Sequence, residues 1–356
     1  MARSGGFGFG IVGLGSIAET HAAALLAMEG GHLTCLFSRS GSDRARALAD
    51  TYAVSLYADL VGFLRDPGLD AVVLATPSGA HLEPALAAAA AGKHVLSEKP
   101  LEVTLERCDA MIAACESGGV ALGGIFQSRT APAVLAVREA LGAGRFGRLT
   151  MISASVPWFR PQSYYDSAVW RGTWAKDGGG ALMNQAIHTL DLVQWLAGPV
   201  CEVSAATACL AHERIEVEDV AVATLRFRSG ALGVFSASTA MWPGSPAELL
   251  ISGTRGTARL TAGQLTEWRF APEHSGDDDR RRSLAPTEGG ASGGASDPKA
   301  IGALAHQRQF EDFARALREG RRPEVDGIEA RKAVEIALAV YTSAREGRPV
   351  TLPLRQ

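Results

Sequence analysis

The chain has 356 residues, 47% of them hydrophobic and 21% charged, with a net charge of −3. Disorder as the main state is excluded, because it needs low hydrophobicity and high net charge, and the length suits two domains. With 35 Lys and Arg against 38 Asp and Glu there is no basic excess of the kind a nucleic-acid binder gathers on one face.

From the N-terminus, short apolar runs alternate with helical stretches. Strands are expected at 9–12, 33–38, 71–75, 94–96 and 120–126, and helices at 18–28, 43–52, 60–65, 82–91 and 105–117. Repeated βα units imply a parallel sheet covered by helices, with ligands at the carboxyl ends of its strands. A helix follows at 132–141. Then come β-like runs at 149–156, 202–208, 220–227, 231–240, 247–252 and 257–260, with a hairpin turn at Arg228, Ser229 and Gly230. Strand after strand predicts a mostly antiparallel sheet. Residues 271–300, rich in Gly, read as a flexible loop. Two helices close the chain at 301–319 and 327–346, the second capped by Asp326 with Glu329. The expected division is a dinucleotide-binding domain over 1–126 and a substrate and oligomerisation domain over 127–356.

The five cysteines form no CxxC pair, which fits free thiols in a cytoplasmic, reducing setting and speaks against a metal site. Residues 1–10 hold no apolar run of signal length, and no window approaches the ~18 apolar residues of a membrane span.

The first strand runs into Gly13-Leu14-Gly15-Ser16-Ile17-Ala18, a G-x-G-x-x-A sequence that opens a helix. Gly13 suits a tight turn, Gly15 lets backbone approach a pyrophosphate, and Ala18 allows close helix–strand packing. Helix N-terminal amides favour the phosphates. The second strand ends at Ser38-Arg39-Ser40. An Asp or Glu there would bind the ribose 2′-hydroxyl of NAD. Arg39 instead suits a 2′-phosphate, so NADP is favoured over NAD.

Further along stand Thr76-Pro77, His81 and the run Ala91-Gly92-Lys93-His94-Val95-Leu96-Ser97-Glu98-Lys99-Pro100. Later comes Gly178-Gly179-Gly180-Ala181-Leu182-Met183-Asn184-Gln185-Ala186-Ile187-His188-Thr189-Leu190-Asp191. Both resemble signatures of the Gfo/Idh/MocA oxidoreductases, relatives of glucose–fructose oxidoreductase and inositol dehydrogenase. The resemblance implies an α/β fold: an N-terminal Rossmann domain and a C-terminal α+β domain with an open-faced sheet. It also implies NAD(P)-dependent chemistry on sugars, cyclitols or their derivatives, and a cis Lys99–Pro100 peptide. It adds Thr76, Pro77, His81, Glu98 and Lys99 to the cofactor side. Gln127, with Arg129 and Pro132, resembles a family element at the domain junction and joins that side. An open face needs covering, so a homodimer or homotetramer is expected.

Lys99 lies just past a strand's carboxyl end, where it could donate to a developing alkoxide. Asn184 and His188 are four residues apart and would share one face of a helix, with Asp191 nearby in a structural role. The glycine run before them lets backbone approach a ligand. His188 is the expected proton acceptor from a secondary alcohol. The family usually has an acid where Asn184 stands, while members acting on nucleotide-sugar acids look similar in having Asn. Asn184 therefore reads as a substrate hydrogen-bonder.

Residues 158–174 concentrate Trp158, Phe159, Tyr164, Tyr165, Trp170 and Trp174 with Arg160 and Arg171. Aromatic faces suit a sugar ring and arginine suits a carboxylate or phosphate. Trp170 and Arg171 are the expected substrate contacts. Two other readings compete with a sugar or polyol dehydrogenase. One is redox-assisted glycoside cleavage with tightly held NAD(H). The other is a non-catalytic cofactor-binding regulator, which should have lost Lys99 or His188.

Overall fold

The computed structural model describes residues 6–286, 295 and 302–354. Contacts divide the chain into two units: Met1–Gln127 with Gly302–Arg331, and Ser128–Ile301 with Lys332–Gln356.

In the first unit, β1 (Phe7–Val12), β2 (Gly31–Phe37), β3 (Ser55–Tyr57), β4 (Ala71–Leu74), β5 (His94–Ser97) and β6 (Leu122–Gly124) form a parallel sheet in the order β3-β2-β1-β4-β5-β6. Between the strands run α1 (Ser16–Ala27), α2 (Asp43–Tyr52), α3 (Leu60–Leu64), α4 (Leu82–Ala90) and α5 (Leu105–Ser117). Every residue of β4 is buried, as a strand covered on both faces requires. The expected Rossmann architecture is present, with β3 an additional strand too short to show in the sequence.

In the second unit, α6 (Pro132–Gly142) leads to β7 (Leu149–Pro157) and α7 (Gln162–Asp166). A π-helical turn (Ala181–Ala186) opens α8 (Ile187–Ala197). Then come β8 (Val200–Ala208), β9 (Val220–Phe227), β10 (Leu232–Ser238), β11 (Glu248–Gly253), β12 (Gly256–Thr261) and β13 (Gln264–Phe270). Together with β14 (Val350–Thr351) they order as β13-β12-β11-β7-β10-β9-β8-β14, antiparallel except for β7 and β10. The hairpin at Arg228–Gly230 joins β9 to β10, with Gly230 at φ 88°. In β9 buried residues alternate with Val222, Thr224 and Arg226 on the open face.

Two sequence expectations need correction. Residues 271–300 contain a helix, α9 (Asp277–Ser283), whose acidic first turn and basic last turn complement the helix dipole. Asp277 is buried beneath Arg145 (2.7 Å to each oxygen), Trp268 Nε1 (2.8 Å) and the His274 amide (2.8 Å). The remaining stretch expected to be flexible falls mostly outside the described residues.

The second correction concerns the boundary: the first of the two closing helices, expected in the second domain, packs in the first unit. α10 (Ala303–Arg318) buries His306, Gln309, Phe310 and Phe313 at helical spacing. Phe310 and Phe313 lie 5.5 and 6.4 Å from Phe9 of β1. Val325 and Asp326 then extend the sheet beside β6, before α11 (Gly327–Glu346). Asp326 caps α11 as expected, accepting from the Glu329 amide at 2.9 Å. An amphipathic stripe fixes that α10 has an inner face. It does not say which sheet that face covers.

Candidate active site

The first unit carries the residues expected to bind cofactor. Gly13 has φ 95°, and a Cβ there would stand 2.7 Å from Ala75 and Thr76 backbone atoms, so the turn demands glycine. A Cβ on Gly15 would meet nothing within 4 Å: the chain leaves open space on that side. α1 begins at Ser16 without a side-chain cap, so its first amides face outward, as an anion seat requires. Ala18 is fully buried against the sheet. These residues fit a dinucleotide. Ser38 closes β2 with its hydroxyl 3.3 Å from that of Ser40, and Arg39 is exposed beside it. The sequence reading missed Arg44 in α2, which donates to the Gly15 carbonyl at 3.3 Å and brings a second positive charge to this rim.

Two residues expected on the cofactor side have their side chains engaged within the fold. His81 is fully buried. Its Nδ1 lies 3.1 Å from the Pro100 and Leu101 carbonyls, and its Nε2 lies 3.0 Å from the Thr76 carbonyl. The ring thus ties the Thr76-Pro77 turn to the segment after Lys99. The Glu98 carboxylate also faces the interior. It accepts from the Lys99 amide at 3.1 Å and pairs with His21 of α1 at 3.0 Å, with His306 of α10 at 3.8 Å. Burial pushes Glu98 up, but His21, then His306 and Lys99, hold it well below the usual carboxylate range. Burial and His21 push His306 down to about 4. The ligand-type atoms of His21, Glu98 and His306 lie within 4.8 Å of one another, a spacing open to a cation. Lys99 is partly buried, and its bond to Pro100 is cis, as expected.

The second unit carries the residues expected to contact substrate. Arg171 stacks its guanidinium 4.2 Å from the Tyr164 ring and 4.7 Å from the Trp170 ring. Arg171 has no ion-pair partner among the described residues, and its Nε is buried without a hydrogen bond. Arg160, in contrast, is fully buried and bonded to Gln185 Oε1 (3.0 Å) and to the Phe159 and Ala295 carbonyls.

Asn184 sits in the π-helical turn rather than on α8, which alters its expected alignment with His188. Its amide nitrogen donates to Asp177, and its oxygen accepts from Gln185 and, at 3.5 Å, from the Tyr164 hydroxyl. His188 is the second residue of α8 and is partly exposed. Asp191 is buried in a bidentate pair with Arg129 (2.7 and 2.5 Å), which places it in the structural role read from the sequence.

The glycine run behaves differently from its sequence reading. A Cβ on Gly179 would stand 2.1 Å from the Tyr341 hydroxyl, and one on Gly180 would stand 1.9 Å from the Glu218 carbonyl oxygen. What the backbone approaches here is the chain itself. Glu218 and Tyr341 carry no sequence motif. Their only sequence signal is an acid beside Glu216 and Asp219, just ahead of an apolar run, and a tyrosine on the apolar stripe of the last helix.

Two family profiles match the chain: the oxidoreductase family with NAD-binding Rossmann fold over 7–125, and the GFO/IDH/MocA C-terminal domain over 134–259. D-apiose dehydrogenase of Paraburkholderia graminis is 32% identical over 355 residues, 96% of this chain and 88% of that protein. Myo-inositol 2-dehydrogenase of Thermotoga maritima is 28% identical over 351 residues, covering 96% and 98%. Among solved structures, the WlbA dehydrogenase from Bordetella pertussis, in complex with NADH and UDP-GlcNAcA, aligns with a TM-score of 0.89 and 36% identity over 100% of both chains.

Proposed function

The chain belongs to the Gfo/Idh/MocA oxidoreductases, and we propose that its substrate is a sugar carrying negative charge, of the nucleotide-linked sugar-acid class. The protein is an NAD-binding oxidoreductase of sugar-like alcohols. The observation that carries the finer reading is Arg171, stacked on Tyr164 and Trp170 with no ion-pair partner among the described residues. Arg171 is half-buried with its Nε out of reach of water, and an anionic ligand would supply the counter-charge and the missing hydrogen bond. Asn184 in place of an acid and the relative bound to UDP-GlcNAcA support the same reading.

The nicotinamide, when bound, supplies the hydride acceptor for the alcohol carbon. His188 takes the hydroxyl proton, and Lys99 donates a hydrogen bond to the oxygen as it gains negative charge. Asn184, braced by Asp177, Gln185 and Tyr164, offers fixed polar edges for a substrate hydroxyl. On the cofactor side Gly13, Gly15, Ser16 and Ile17 would receive the pyrophosphate, with Ala18 packed against the sheet beneath them. Thr76, Pro77 and Gln127 would hold the nicotinamide end. Arg39, with Arg44 nearby, favours NADP over NAD.

The open face of the second unit's sheet exposes Met151, Val222, Leu232 and Val234 beside Ser and Thr side chains. A homodimer or homotetramer would cover it. Free cysteines agree with a cytoplasmic protein, and none of the described helices is long and apolar enough to cross a membrane.

The test is initial-rate measurement of reduced-cofactor absorbance with UDP-N-acetylglucosaminuronate, D-apiose and myo-inositol, each with NAD and NADP. Turnover is expected with the nucleotide-sugar acid, and Arg171→Ala should raise its KM about tenfold, as for the loss of one charge-assisted hydrogen bond. Equal turnover of the neutral sugars would end the anionic-substrate reading. Release of an aglycone without reduced cofactor would replace dehydrogenation by redox-assisted cleavage.

A further inference from the structure

We propose that Glu218, braced by Tyr341, is the positioning pair of the second unit: together they hold the π-helical turn Ala181–Ala186 and so set Asn184 and the start of α8, where His188 stands. The inference rests on the proposed role of His188 for its catalytic consequence, and on geometry alone for the hold itself.

A helix start leaves its first amides without partners inside the helix. Here four consecutive amides end on two residues. Gly180 N–H donates to Glu218 Oε2 (3.0 Å), Ala181 N–H to the Glu218 carbonyl oxygen (3.0 Å), Leu182 N–H to Glu218 Oε1 (2.8 Å) and Met183 N–H to the Tyr341 hydroxyl oxygen (3.2 Å). The Tyr341 hydroxyl donates onward to Glu218 Oε1 at 3.0 Å. Glu218 is 4% exposed and Tyr341 9%. The turn is wide: Gln185 N–H reaches back to the Gly180 carbonyl at 3.4 Å. Such wide turns are uncommon and gather at functional sites. Gly179 and Gly180 are required because any side chain there would collide with this pair. The carboxylate also lies at the positive end of the helix that carries His188.

The titratable groups around Glu218 are Tyr341 across the turn, with Tyr165 and Cys209 within its field, and Asp177 acts in turn on Tyr341 and Tyr165. Burial pushes Glu218 up to about 7, against the pull of the Leu182 and Gly180 amides and the Tyr341 hydroxyl. The ionised carboxylate can accept from every donor. Its protonated form carries a hydrogen that competes with them. The hold therefore weakens as pH falls through about 7.

The experiment compares Glu218→Gln, Tyr341→Phe and His188→Ala with wild type. Three readouts apply: amide hydrogen exchange at Leu182 and Met183, kcat and KM from pH 6 to 8, and NAD(P)H binding by fluorescence. Glu218→Gln should speed exchange at Leu182 and lower kcat about tenfold to a hundredfold, the scale of a small misplacement of catalytic groups. KM should move less, cofactor binding should be unchanged, and the kcat step near pH 7 should flatten. Tyr341→Phe should speed exchange at Met183 and serves if Glu218→Gln fails to fold. Unchanged exchange in both variants overturns the hold. Faster exchange with wild-type kcat, while His188→Ala is inactive, overturns the positioning role. If His188→Ala itself turns over normally, the catalytic assignment of His188 falls, and exchange still decides the hold.

Discussion

Each unit buries a glutamate behind the residues assigned to chemistry, and the two are shifted in opposite directions from the ordinary carboxylate range. Glu98 backs the Lys99 amide among imidazoles, and His21 holds it ionised far below its ordinary range. Glu218 backs the turn before His188 among neutral donors, and burial pushes it up to about 7. Both are nearly inaccessible, at 7% and 4% exposure. Burial therefore does not decide the charge. A partner able to carry a proton stabilises the carboxylate by full charge, whereas amides and a hydroxyl offer dipoles. The first unit has a fixed anion; the second has one that can be lost near neutrality.

The largest expected effects test whether the chemistry lies where these two anchors point. Lys99→Ala and His188→Ala should each lower kcat at least about a hundredfold, as expected for loss of a proton-transfer or alkoxide-stabilising group. NAD(P)H binding by fluorescence titration should persist. Near-normal turnover in either would detach that anchor from the reaction.

Next comes Glu98→Gln. Removing one partner of a buried pair costs about 3–5 kcal/mol, so thermal unfolding at pH 7 should shift down by many degrees. Glu98 is depressed in the folded state, so its contribution is present above its ordinary value of 4.5 and is lost as pH falls through the folded value. His306 acts on the same side: held down to about 4 from 6.5, it lowers stability as pH falls across that window. Metal analysis that returned one bound zinc per chain would break the comparison, because a cation rather than His21 would then hold Glu98.

Glu218 has the opposite sign. Its folded value is raised from 4.5 to about 7, so its contribution is present below 4.5 and is lost as pH rises through about 7. The wild type should lose up to about 3 kcal/mol from this group between pH 5 and 8. Denaturant titrations of Glu218→Gln should show a flatter profile over that range. A parallel profile would place Glu218 in the same class as Glu98.

The smallest effect sharpens the first unit alone. Arg39→Ala should weaken NADP(H) about tenfold, the worth of one charge-assisted contact, and NAD(H) little. Equal losses in parallel titrations would remove the 2′-phosphate role of Arg39.

The parallel sheet and its glycine turn were legible because the first unit follows local rules. Its strands are short apolar runs, and Gly13 is dictated by a backbone angle that neighbours in sequence create. The alternation in β9 announced a sheet with one covered face. β13 was missed because Glu267 and Arg269 alternate with Trp268 and Phe270 in a stretch that charge makes resemble a loop. His81 and Glu98 were read as cofactor ligands from a signature in which they do stand. Their side chains turn inward, and a signature gives position, not direction.

By itself, then, the sequence determined the two-domain α/β plan, the dinucleotide turn at Gly13 and Gly15, and the two segments that carry Lys99 and His188. These depend on periodicity and on local backbone demands, which neighbouring residues impose. Only the tertiary structure decided that α10 covers the first sheet, that the run 178–180 approaches Glu218 and Tyr341, and that Asn184 lies on a π-helical turn. Those facts join residues far apart in the chain, such as Glu218 and Tyr341. Such pairings follow from packing and from the need to satisfy buried polar groups, which no local pattern records.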